Sequence, residues 1–220
     1  MAALTAFLLS LIFGPWIIKK LSQLKVGQTV RKEESLELYS LHQVKTGTPT
    51  MGGILILFAL LSSILLWSDL TNKYTILVII GTVWLGLLGF LDDYLKFKKK
   101  SPKGIPAIAK LNGQILLGLF IGIILFLDPR HNSRLDLPFL KDIVLDLGAF
   151  YVLFVILVIA GSSNAVNLTD GLDGLAIGIV IMVAFTYSIL SYIAGNIKFS
   201  NYLLVPYIPG GGELTVFCAG

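Results

Sequence analysis

Six apolar runs, at residues 2–18, 51–67, 75–91, 111–127, 144–160 and 175–194, recur through the 220-residue chain, each 17 to 20 residues long. No other feature constrains the fold as strongly. Runs of that length match the hydrocarbon thickness of a bilayer. Inside lipid every backbone polar group must be satisfied within the structure, so the runs are read as helices. The fold class that follows is an all-α polytopic membrane protein, a bundle of about six complete transmembrane helices. A seventh span opens at Leu214 and reaches only to Gly220. Residues 1–220 read as a single transmembrane domain.

Composition agrees: 55% of the residues are hydrophobic, 14% are charged and the mean hydropathy is +0.85. A soluble domain is more charged and less apolar. A formal charge of +4 raises the question of nucleic acid. The basic residues fall in the connections between apolar runs, however, so membrane topology accounts for them and no nucleic-acid partner is expected. The first run is followed by Lys19 and Lys20, the reverse of a signal peptide's charge order, and it reads as a first span with its N-terminus outside. Alternating the spans gathers 12 of the 17 Lys and Arg on one face, against 5 on the other. By the positive-inside rule the 12-residue face is cytoplasmic. Cys218 is the one cysteine and reads as a small buried apolar residue.

Three polar motifs fall on that basic face. The densest is Asn164-Ala165-Val166-Asn167-Leu168-Thr169-Asp170-Gly171-Leu172-Asp173-Gly174-Leu175-Ala176. Polar groups are expensive in a low-dielectric setting unless paired, so a cluster of amides and carboxylates at a membrane boundary points to function. Gly171 and Gly174 break the helical period, and the run is expected to be a loop feeding a new helix. Asp173 serving as an ordinary helix N-cap is the plainer explanation, but a cap uses one side chain and this run has five polar ones.

The second motif, Lys45-Thr46-Gly47-Thr48-Pro49-Thr50-Met51-Gly52-Gly53, places an N-cap Thr48 before Pro49, so a helix is expected to start there. Its N-terminus would suit a phosphate beside Lys45, and Gly52 and Gly53 would admit a close neighbour. In the third, Gly89-Phe90-Leu91-Asp92-Asp93-Tyr94-Leu95-Lys96, two acids oppose the dipole at a helix C-terminus. Asp92 shares a face with Lys96, and an interfacial salt bridge is the structural explanation. Lys98, Lys99, Lys100, Lys103 and Lys110 exceed what two carboxylates neutralise. Anionic lipid would suit such a patch; a phosphate-rich substrate would satisfy the lysines and, through a divalent metal, the aspartates. His42 and His131 fall on opposite faces and cannot share a metal. Gly118…Gly122 and Gly174…Gly178 have small-residue spacing for helix packing, with a homodimer face as the other use.

Together the three motifs resemble the phospho-N-acetylmuramoyl-pentapeptide transferase family, a branch of the polyprenyl-phosphate N-acetylhexosamine-1-phosphate transferases. The resemblance covers the whole chain in order, spacing and sidedness. It implies ten transmembrane helices with both termini outside and a cytoplasmic active site in the bacterial inner membrane. The implied reaction is magnesium-dependent transfer of phospho-N-acetylmuramoyl-pentapeptide from its UDP carrier to undecaprenyl phosphate, giving lipid I and UMP for peptidoglycan synthesis, cell-wall biogenesis, cell shape and division. Carried over residue by residue, Asp92 and Asp93 match the acidic catalytic pair, with Asp92 favoured as base or metal-associated carboxylate. Lys45, Thr50, Lys96 and Lys110 match positions lining the substrate site. Asn164, Asn167, Asp170, Gly171, Leu172 and Asp173 match the region that holds uridine and the adjoining sugar phosphate.

Two departures stand against this pattern. Gly104-Ile105-Pro106-Ala107-Ile108-Ala109-Lys110 fits the family only loosely. The family's later magnesium-binding aspartate loop and histidine-rich loop would lie beyond Gly220, so the chain is expected to be a fragment or a truncated form, inactive alone. Two other functions are weighed. An N-acetylglucosamine-1-phosphate transferase would be expected to carry Arg near Met51. An ion-coupled transporter would place its carboxylates near the bilayer midplane rather than at span ends.

Overall fold

A computed structural model describes residues 1–23, 51–99, 104–128, 133–136, 144–170 and 174–220. Eight α-helices are found among them: α1 (Ala2–Gln23), α2 (Gly53–Trp67), α3 (Lys73–Lys99), α4 (Ala107–Phe126), α5 (Phe150–Thr169), α6 (Leu175–Gly195), α7 (Ile197–Leu203) and α8 (Leu214–Ala219). A 3-10 turn at Gly211–Glu213 precedes α8, and strands β1 (Arg134–Asp136) and β2 (Val144–Asp146) form one antiparallel pair. Helices α1, α3, α4, α5 and α6 are each long and apolar enough to cross a membrane; α2, at 15 residues, rises about 22 Å. The chain is thus an all-α, multi-pass membrane protein, with one small antiparallel strand pair among the described residues.

The described residues divide into two compact units, 1–105 with 179–220, and 106–178. In the first, α1 and α2 run antiparallel: Ser63 Oγ donates to the Ala2 carbonyl at 3.0 Å, Trp67 Nε1 to Thr5 Oγ1 at 2.9 Å, and Phe13 meets Phe58 edge to face at 5.4 Å. Pairing the Ser63 hydroxyl with the second lone pair of the Ala2 carbonyl lets a polar side chain sit fully buried between apolar helices. The α2–α3 connection is built from short polar side chains. Thr71 gives both its hydroxyl and its backbone N–H to Asp69 Oδ1, at 2.7 and 2.9 Å, and Asn72 Nδ2 donates to the Gly210 carbonyl at 2.9 Å. Glu213 accepts the Asp69 backbone N–H at 3.0 Å, which ties this connection to the turn before α8.

In the second unit α4 and α5 pack closely because α4 presents glycine where α5 approaches. A methyl at Gly118 would lie 2.7 Å from Ile156 Cα, and one at Gly122 would lie 3.2 Å from Val152 Cα. The spacing of these two glycines is therefore used within the chain, as the packing argument expects. The same spacing at Gly174 and Gly178 has no such use among the described residues, none of which would come within 4 Å of a methyl at either position.

Several boundaries differ from the sequence expectation. Helix α2 starts at Gly53, not at Pro49, because Met51 has φ 73°, which no right-handed helix accommodates. No neighbour among the described residues approaches Gly52 or Gly53. Residues 144–146 are strand, not the start of a span: Asp146 Oδ1 accepts from Ser133 Oγ at 2.6 Å and from the Gly148 N–H at 3.1 Å, anchoring the strand pair. The span begins at Phe150 and continues to Thr169, so Asn164, Asn167 and Thr169 sit on helix rather than in a loop. Thr169 and Ser162 return their hydroxyls to carbonyls four residues back, at 2.8 and 2.6 Å, which satisfies them without leaving the helix.

Candidate active site

The acidic pair lies on the last turns of α3. Lys96 is one helical turn beyond Asp92, and its Nζ meets Asp92 Oδ2 at 2.6 Å and Asp93 Oδ1 at 3.6 Å. An acid placed four residues before a lysine is the favourable order for such a pair. Lys96, Lys98 and Lys99 together offset the negative end of the helix dipole, which two acids alone would worsen. The two carboxylates differ in surroundings: the Asp92 side chain is 15% exposed and the Asp93 side chain 42%. Asp92 Oδ1 accepts the backbone N–H of Ile105 at 2.8 Å, so Gly104 and Ile105 are set against it. Position 104 must be glycine for this, since a Cβ there would collide with the Asp92 carboxylate. The salt bridge that the sequence offered as a structural explanation is present, and Lys96 is its cation.

Two polar rungs hold α4 and α5 together at the other end of their contact from Gly122. Lys110 Nζ donates to Asn167 Oδ1 at 3.1 Å. One turn further into α4, Gln114 Nε2 donates to Ser163 Oγ at 3.0 Å, and Gln114 Oε1 accepts from Asn164 Nδ2 at 2.8 Å. Asn164 Nδ2 also donates to the Ala160 carbonyl at 2.8 Å. Both N–H bonds of the Asn164 amide are thereby committed, and its oxygen is the atom it offers. Lys110, Asn164 and Asn167, each singled out in the sequence, are brought together on one seam, and Asp170 caps the C-terminus of α5 just beyond it. Gln114 was missed. Its signal was there: an amide inside an apolar run, four residues after Lys110 and so on the same helix face, where burial makes a partner obligatory.

Lys45, Thr50, Gly171, Leu172 and Asp173 lie outside the described residues. Gly174, next to the last three, has φ 82°, a left-handed conformation that glycine adopts without strain, and α6 starts one residue later. The break expected at this glycine is present.

A membrane helix bundle carrying paired carboxylates and lysines at its helix ends defines a class before it defines a reaction. The glycosyl transferase family 4 model matches residues 75–210, more than half of the chain, and the chain belongs to that family. Within it, a phospho-N-acetylmuramoyl-pentapeptide-transferase signature matches residues 45–57, the segment that holds Lys45 and Thr50. The chain is 49% identical over 217 residues to a phospho-N-acetylmuramoyl-pentapeptide-transferase of Citrifermentans bemidjiense, covering 99% of this chain and 60% of that protein. It is 47% identical to the protein of that name from Desulforapulum autotrophicum, covering 98% of this chain and 59% of the relative. With the Syntrophus aciditrophicus protein of that name identity is 44%, over 99% and 59%. The chain spans about three-fifths of the length of these curated relatives.

Proposed function

We propose that the full-length protein transfers phospho-N-acetylmuramoyl-pentapeptide from UDP to undecaprenyl phosphate, giving lipid I and UMP. The observation that carries this reading is identity of 44–49% to transferases of that name across nearly all of this chain. The signature at residues 45–57 favours the muramoyl branch over the N-acetylglucosamine-1-phosphate branch. Charge distribution supports a cytoplasmic site in a bacterial inner membrane, with the N-terminus outside.

The acceptor is a lipid phosphate and the donor a soluble nucleotide, so their meeting place must be a membrane interface. Carboxylates and lysines at helix ends suit that place. Asp93, the more exposed of the pair, and Asp92, held between Ile105 and Lys96, are the candidates to take the proton from an attacking phosphate or to associate with metal. Attack on the sugar-linked phosphorus builds negative charge, which Lys96, beside the acidic pair, would offset.

Among the described residues no group of three metal-binding side chains occurs. Two neighbouring carboxylates nonetheless fit magnesium, which takes one or two carboxylates and completes its shell with water and substrate phosphates. Asp92 and Asp93 would hold it, and when bound it would neutralise charge on the transferring phosphate.

Membranes containing the full-length protein, supplied in parallel with UDP-N-acetylmuramoyl-pentapeptide and UDP-N-acetylglucosamine, should release UMP and form a prenyl-linked product only with the first. Product from the second alone would move the protein to the sister branch.

A further inference from the structure

Resting on the reading above, we infer that Gln114 is a positioning residue for the sugar-nucleotide donor, acting through the Asn164 amide and the Lys110–Asn167 pair. Gln114 is 1% exposed, inside an apolar helix, and both ends of its amide are engaged on α5. A buried amide with both ends matched specifies one register of two helices, since sliding or rotating either would strand a donor and an acceptor in a dry contact.

That register has a consequence for the groups around it. Lys110 and Gln114 are one turn apart on α4, as are Asn164 and Asn167 on α5. Fixing Gln114 against Asn164 therefore sets Lys110 opposite Asn167, where the ammonium is found 3.1 Å from Oδ1. With its oxygen occupied by lysine, Asn167 offers its N–H bonds outward, while Asn164, its N–H bonds spent on Gln114 and Ala160, offers its oxygen. Gln114 thus selects one acceptor and one donor for presentation a turn apart on α5. Without it the Asn164 amide keeps only its Ala160 bond, and the register that sets Lys110 opposite Asn167 loses its buried pin.

Steady-state titrations of both substrates on the full-length protein test this, with Gln114→Leu, Gln114→Glu, Asn164→Leu and the Gln114→Leu/Asn164→Leu double variant. Gln114→Leu is expected to raise the donor KM about tenfold, the loss of roughly one hydrogen bond's worth of binding, and to leave the undecaprenyl phosphate KM within twofold. Gln114→Glu keeps an acceptor for Asn164, can receive the Ser163 hydroxyl and has the Lys110 ammonium one turn away to offset its charge, so it is expected to lose less than the leucine variant. The double variant should be no worse than Asn164→Leu alone, because residues acting through one another are not additive. A role in filling space predicts the reverse ranking, leucine tolerated and glutamate not. That ranking, or additive losses, overturns the inference while leaving the functional reading intact. A wild type that forms no lipid-linked product overturns the functional reading and this inference with it.

Discussion

The backbone N–H of Ile105 donates to Oδ1 of Asp92 at 2.8 Å, a contact that spans 13 residues and sets Gly104 and Ile105 against the last turns of α3. The carboxylate is gripped from both sides, since its other oxygen belongs to Lys96 at 2.6 Å. A group held this way keeps one orientation without help from a ligand. Gly104 makes the approach sterically feasible.

Gly104→Ala in the full-length protein is accordingly expected to lower kcat by about tenfold to a hundredfold, the loss of one hydrogen bond to a charged group. Both KM values should move less than kcat. An unchanged kcat, from stopped assays of UMP release, would show that the strap does not set the acid.

Asp92→Asn and Asp93→Asn should each remove most turnover while leaving the protein folded, because each keeps its shape and loses the charge that faces Lys96. Thermal unfolding in detergent checks folding, and product formation checks turnover. Near-normal rates in both purified variants would remove the acidic pair from the mechanism.

Helix packing gives a contrast within one residue type. Gly118→Ala pushes a methyl to 2.7 Å from the Ile156 backbone and is expected to destabilise the protein by about 1–3 kcal/mol. Gly178→Ala meets nothing within 4 Å among the described residues and should be neutral, or stabilising by about 0.5–1 kcal/mol through helix propensity. Thermal midpoints of the two variants that fell together would contradict the packing account.

The legibility of the chain follows the strength of each local signal. Spans were readable because lipid demands long apolar helices, and α3, α4 and α6 occur close to where hydropathy placed them. Residues 144–149 misled because valine, leucine and alanine suit a strand or a span equally; what decided was Asp146 finding Ser133, a partner 13 residues away that no periodicity announces. The polar run from Asn164 was read as loop because Gly171 and Gly174 break the helical period, and amides by themselves disfavour helix interiors. Tertiary partners on α4 reversed that preference for Asn164 and Asn167. The Asp92–Lys96 pair was legible from spacing alone, whereas Ile105 N–H was not, since a backbone donor has no letter in the sequence.

Asp69 supplies a pH dependence. The Thr71 hydroxyl, and then its backbone N–H, hold the Asp69 carboxyl below its ordinary value. A depressed folded value means that the stabilisation is present above the unfolded pKa, near 4, and is lost as pH falls through the lower folded value. The thermal midpoint of wild type should exceed that of Thr71→Val from pH 7 to 5 and converge with it as pH drops below 4. A gap that widened on acidification would reverse the sign and exclude Asp69 as its source.

Topology is tested by single cysteines at Lys99 and Lys198, both exposed, in a Cys218→Ser background. The charge division puts position 99 inside and position 198 outside. An impermeant maleimide applied to intact cells should label only the second. Labelling of both from one side would overturn the alternation of spans.

Because Asn164 and Asn167 stand on the final turns of α5, their spacing is a property of a rigid screw rather than of a loop that must settle around its ligand. One residue inserted between Gly161 and Asn164 would turn both amides by about 100° relative to Ile156 and the rest of the helix that grips α4. Such a site does not degrade gradually as its sequence drifts. It tolerates exchange of side chains on the far side of the screw, yet is intolerant of any change in chain length along it, as a key is of a shifted tooth.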